Sequence, residues 1–81
     1  MTILLFGITK DIVGSSTLSM PVAKSVKIKT VGELKSYLAV AYPELTRLSS
    51  LAVAVNNNYA TDDAEINSFD EIALIPPVSG G

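Results

Sequence analysis

Ile3-Leu4-Leu5-Phe6-Gly7-Ile8 is a short apolar run with β-branched and aromatic members, ending at Thr9-Lys10. Its length predicts a strand over Ile3–Ile8. Lys10 to Gly14 predicts one helical turn stopped by Gly14. Ser15-Ser16 then reads as a turn. Thr17 to Val22 reads as a second, weaker strand, and Pro21 sets it at an edge or ends it. Ser25 to Lys29 alternates, so Val26 and Ile28 should face inward while Lys27 and Lys29 face water. Thr30 and Glu33 have the spacing of a capping box. The helix that follows carries Val31, Leu34, Leu38 and Ala41 as one buried stripe, with Tyr37 and Tyr42 flanking. Pro43 ends it near Tyr42, and Glu44–Leu48 predicts a short turn. Leu51–Val55 reads as a buried strand, Asn56-Asn57-Asn58 as a turn that tolerates positive φ, and Tyr59-Ala60 as a return strand. In the polar stretch Asp62–Asp70, Ile66 and Phe69 are expected as core plugs. Glu71–Ile75 predicts the last strand, stopped by Pro76-Pro77.

The order strand, strand, helix, strand, short strand, strand implies an α+β fold. A mixed sheet is crossed by one main helix in a β-grasp arrangement. One helix covers only one face of a sheet. Yet the first strand is apolar at both parities, Ile3 and Leu5 against Leu4 and Phe6. So is the last, Ile72 and Leu74 against Ala73 and Ile75. A solvated face normally alternates with polar residues, so part of the uncovered face reads as an interface. Cover by loops is the alternative.

Composition narrows the chemistry. The 81 residues fit one domain, 1–81, with 76–81 as a projecting tail. The chain contains no Cys and no His. This removes disulfides, thiolate metal sites and thiol nucleophiles, and with them the commonest general base. A net charge of −2 argues against nucleic-acid binding. No apolar run is long enough to span a membrane, and the N-terminus lacks the features of a signal peptide. A cytoplasmic location is expected. The charge is asymmetric: residues 1–47 hold all six bases and three acids, residues 48–81 five acids and no base. The two halves therefore carry +3 and −5. Either these are solvated turns, or the second half steers toward a basic partner.

The terminal carboxylate on Gly80-Gly81 is the one unusual chemical group. Two glycines remove side-chain bulk, so the backbone can thread a narrow channel in another protein. Pro76-Pro77 fixes φ and withholds two amide donors, which favours a stiff, extended exit. A free carboxylate is a poor electrophile and needs activation, most simply by adenylation in a partner enzyme.

Phe6-Gly7-Ile8-Thr9-Lys10-Asp11-Ile12-Val13-Gly14, Val31-Gly32-Glu33-Leu34 through Tyr42-Pro43-Glu44-Leu45, Val53-Ala54-Val55-Asn56, Asp70–Ile75 and above all Pro76-Pro77-Val78-Ser79-Gly80-Gly81 carry a resemblance. Across nearly its whole length the chain resembles the small subunit of molybdopterin synthase, a family of ubiquitin-like sulfur carriers. It departs from the family pattern over Ser15–Thr30, a longer stretch rich in Lys (Lys24, Lys27, Lys29). The resemblance implies a non-catalytic carrier with no bound cofactor or metal. A ubiquitin-activating-like adenylyltransferase would use ATP to make an acyl-adenylate on Gly81. A sulfur donor protein would convert it to a thiocarboxylate. The large synthase subunit, assembled with this chain as a heterotetramer, would draw in Pro76, Pro77, Val78, Ser79 and Gly80. There the sulfur would attack a pterin precursor to build molybdopterin. The same resemblance places Phe6, Tyr59 and Ile75 on the docking surface.

Four other functions compete: a sulfur carrier for thiazole synthesis, one for tRNA thiolation, a ubiquitin-like protein modifier, and a β-grasp interaction module with an inert tail. Asp62-Asp63 with Glu65 reads as a solvated turn rather than a metal site, with no calcium-loop glycine to support one. Asp70 and Glu71 would point to opposite sides if extended, which makes them a poor acid/base pair.

Overall fold

The computed structural model describes residues 1–21, 23, 26–48 and 50–77. Among these, five strands form one sheet: β1 (Thr2–Leu5), β2 (Thr17–Ser19), β3 (Ala52–Val55), β4 (Asn58–Ala60) and β5 (Glu71–Ile75). Their spatial order is β2-β1-β5-β3-β4. β1 and β5 run parallel at the centre, with Leu5 level with Leu74, and the other neighbours are antiparallel. Two helices, α1 (Ile8–Val13) and α2 (Val31–Ala41), and a 3-10 turn (Pro43–Arg47) complete the described architecture, a mixed-sheet β-grasp.

The capping box of α2 forms as its spacing predicts. Glu33 N donates to Thr30 Oγ1 at 3.2 Å, while Glu33 Oε1 accepts from Thr30 N at 3.1 Å and Lys29 N at 2.9 Å. The remaining N-terminal amides use the 61–66 loop: Val31 N donates to Ala64 O at 3.0 Å and Gly32 N to Asp62 O at 2.8 Å. The first turn of α2 is thus satisfied by its own cap and by a loop distant in sequence. Val31, Leu34 and Leu38 then pack with Ile3, Leu5, Val53, Ile72 and Leu74 in the core.

The polar pattern misplaces several residues. β1 ends at Leu5, and α1 begins at Ile8 rather than Lys10, because Phe6 and Gly7 turn the chain. Gly14 (φ 86°) closes α1 as expected. β2 stops at Ser19, and Val22 lies outside the described residues. Residues 26–29 form no strand: Val26 and Lys27 turn, and Thr30 makes a single bridge to Glu65. Ile28 is still buried, but Val26 is 54% exposed. Ala41 faces solvent at the end of α2. Phe69 is not a core plug: it is 92% exposed, whereas Ile66 is buried. The Asn turn holds at two of its three positions: Asn56 and Asn57 adopt φ of 49° and 71°, the double positive-φ geometry that suits a tight hairpin, while Asn58 already pairs with Val55 as the first residue of β4. No helix among the described residues is long and apolar enough to cross a membrane.

Candidate functional site

The strand register sorts the face opposite α2 into rows. Ser19, Thr2 and Glu71 form a polar row at one end. Thr17, Leu4, Ala73, Ala54 and Tyr59 form the middle row. Ile75 and Ala52 form the third, at the end where β5 finishes. The apolar parity predicted for this face therefore forms a surface that passes from polar to apolar toward the chain exit. Leu4, Ala52, Ala73 and Ile75 stay only half-buried, and Ala54 alone is covered.

The expected docking residues lie along this surface. Tyr59 is 76% exposed on the edge strand β4, directly across from Ala54. Ile75 ends the central strand. Phe6 is half exposed and follows Leu5, whose partner Leu74 precedes Ile75. Parallel pairing of β1 with β5 explains why Phe6 and Ile75 share one pole: both strands finish there. From Ile75 to Tyr59 is two strand spacings, roughly 10 Å sideways. The three residues span the sheet rather than cluster.

Pro76 and Pro77 leave this pole half-buried. Val78, Ser79, Gly80 and Gly81, together with Lys24 of the Lys-rich stretch, lie outside the described residues.

Two residues at the pole were not legible in the sequence. Thr9 is fully buried, and its hydroxyl accepts from Phe6 N at 3.0 Å while donating to Phe6 O. Gly7, between them, has φ 55° and ψ −132°, a conformation open to glycine. The only signal for either was a glycine after the apolar run with a hydroxyl two positions on.

Acidic groups of the second half are mostly occupied locally. Asp62 pairs with Lys35 at 3.0 Å. Asp63 accepts from the Thr61 hydroxyl, and that hydrogen bond holds its carboxyl below the usual range. Asp70 accepts from Asn67 N at 2.8 Å and Asn56 Nδ2 at 2.9 Å. Glu71 stays exposed on the open face. Among the described residues no group of three carboxylates could hold a metal ion. Among the described residues, the pole thus joins an exposed apolar surface to the point where the chain leaves β5.

Comparison with known proteins matches residues 3–81 to the model described as the ThiS family. A Dictyostelium discoideum protein named molybdopterin synthase sulfur carrier subunit is 37% identical over 98% of this chain and 93% of its own. The Arabidopsis thaliana protein of the same name is 37% identical over 98% of this chain and 80% of its own. The crystal structure of SAMP1 from Haloferax volcanii superposes with a TM-score of 0.76 at 30% identity, covering 99% of this chain and 97% of that one.

Proposed function

Because the chain belongs to the ThiS family, we propose that it is a sulfur carrier, the small subunit of a molybdopterin synthase, with Gly81 as its working end. The observation that carries this reading is the 37% identity to a molybdopterin synthase sulfur carrier subunit over 98% of the chain. The chain is the carried substrate of its partners' chemistry rather than a catalyst.

The Gly81 carboxylate attacks the α-phosphorus of ATP in an adenylyltransferase. Pyrophosphate leaves and an acyl-adenylate forms. Sulfide sulfur from a donor then displaces AMP, leaving a thiocarboxylate. In the large subunit that sulfur attacks a carbon of a pterin precursor and expels an oxygen leaving group from it, and water then cleaves the acyl carbon–sulfur bond, which returns Gly81 to a carboxylate. Each load delivers one sulfur, so a dithiolene needs two loads. This chain's own contribution is positional. The apolar row ending in Ile75, with Phe6 and Tyr59, docks on the partner, and Pro76 and Pro77 launch Ser79, Gly80 and Gly81 into its active site. Neither proline can donate to a sheet, which frees this stretch from the ladder. The setting is cytoplasmic.

The test is intact mass after incubation with ATP, the adenylyltransferase and a sulfur source. Replacement of one oxygen by sulfur, abolished by deleting Gly81, is expected. Product formation on adding the large subunit separates this pathway from thiazole and tRNA thiolation. An unchanged mass, with the enzyme active on its own carrier, overturns the reading. Similarity to SAMP1, a protein whose name marks it as a modifier, favours a second reading as a protein modifier. Stable conjugates to lysine side chains would support it.

A further inference from the structure

We propose that Gly7 is a positioning residue for sulfur transfer: its bare Cα is the seat on which Pro76 rests, and this contact sets the direction in which the tail leaves the domain. The inference rests on the carrier reading and adds a residue to it.

A Cβ built on Gly7 would stand 3.0 Å from Pro76 Cγ and 3.9 Å from Pro76 Cδ. Side-chain atoms essentially never pack closer than that first distance, so Pro76 sits in the space a side chain would occupy. The seat itself is fixed. Lys10 N donates to Gly7 O at 3.1 Å, and Phe6 on the other side is tied to buried Thr9. The opposing surface is fixed too, because β1 and β5 are in register up to Leu5 and Leu74. Pro76 has no amide hydrogen with which to extend the ladder. Its placement depends on packing, and Gly7 is what it packs against.

A proline ring is closed onto its own main chain, so its Cγ yields by ring pucker alone and not as a flexible side-chain tip would. A Cβ at position 7 requires the Pro76 ring to give by a few tenths of an ångström, a shift passed to the base of the tail. Five residues span at most roughly 16 Å, so a tilt of about 10° at Pro77 would move the far end of such a span by up to about 3 Å. Misplacement on the order of 1 Å at a reacting group can cost about a hundredfold in rate.

The experiment measures thiocarboxylate formation on the full chain with the adenylyltransferase, ATP and sulfide, resolved into kcat and KM. Gly7→Ala is expected to lower kcat about tenfold with KM within about twofold, since Tyr59 and Ile75 are untouched. In a Pro76→Ala background the same substitution should cost about twofold or less, because the ring it meets is gone. A loss of equal size in both backgrounds overturns the proposal and leaves Gly7 a backbone-strain position. If Gly7→Ala does not fold, its folding in the Pro76→Ala background decides: recovery of the fold there supports the seat, and failure to fold in both backgrounds, with Pro76→Ala alone folded, overturns it. Failure of the wild-type chain to load counts against the carrier reading and is read out separately.

Discussion

Thr9 and Phe6 are joined by three hydrogen bonds: the Thr9 hydroxyl accepts from Phe6 N and donates to Phe6 O, and Thr9 N donates to the same carbonyl. One buried side chain thereby completes both backbone groups of the residue that turns the chain out of β1. Thr9→Val keeps the shape but orphans Phe6 N, and should cost about 1–3 kcal/mol in urea unfolding. Thr9→Ser keeps the hydroxyl and should cost less. Equal stability of Thr9→Val and wild type would sink this account.

Asp70 and Glu71 are neighbours with different tasks. Both Asp70 oxygens are committed to Asn67 and Asn56, so Asp70→Ala should destabilise the fold by about 1–2 kcal/mol. Glu71 is exposed and carries charge only. Glu71→Lys should leave the melting temperature unchanged but slow association with a basic partner at low salt, an effect that fades at high salt. Stopped-flow association at two ionic strengths checks it, and an unchanged on-rate would remove the steering argument.

Phe69 is the i+2 residue of a tight turn closed by Asp70 N donating to Asn67 O at 3.1 Å, which points its ring to solvent. Phe69→Ser should therefore stay within about 0.5 kcal/mol of wild type. Ile66→Ala, three residues away and buried, should lose about 2–5 kcal/mol. Comparable losses at both positions would mean that Phe69 is packed after all.

The Asp63 carboxyl is held low by the Thr61 hydroxyl. A depressed folded pKa adds stability above the unfolded carboxylate range, and this is lost as pH falls through the folded value. The group is fully exposed, so the change in stability should be small. The titration midpoint is the better readout: Thr61→Val should raise the Asp63 midpoint in an NMR titration, and a midpoint that stays put would refute the cause.

Elements defined by local chemistry were legible in the sequence. Thr30 and Glu33 announce a cap, Asn56-Asn57 a hairpin, and Val31, Leu34 and Leu38 a buried stripe, because each depends on residues a few positions apart. Parity also pointed to the apolar open face that carries Phe6 and Ile75. Val26 was misplaced because alternation assigns a face only to a segment that finds a ladder partner, and residues 26–29 find none. Phe69 was misplaced because hydrophobicity says nothing of turn geometry. Gly7 carries no local signal because Pro76 is brought to it by the parallel pairing of β1 with β5, whereas Thr9 acts on the Phe6 backbone only three residues away and stays illegible because a lone hydroxyl does not announce which backbone groups it completes. Tyr59 is singled out by the family resemblance alone, since an aromatic on a three-residue edge strand carries no pattern of its own.

The place of β5 in the sheet also has a mechanical meaning. The tail hangs from the central strand, which is paired at four positions with β1 on one side and at four with β3 on the other. A partner that grips the tail and pulls along β5 loads both ladders in shear, with their hydrogen bonds sharing the force. It does not peel an edge bond by bond. The chain leaves the domain from a strand held on both sides, so a pull at that exit is resisted by two ladders at once and the fold can bear load there.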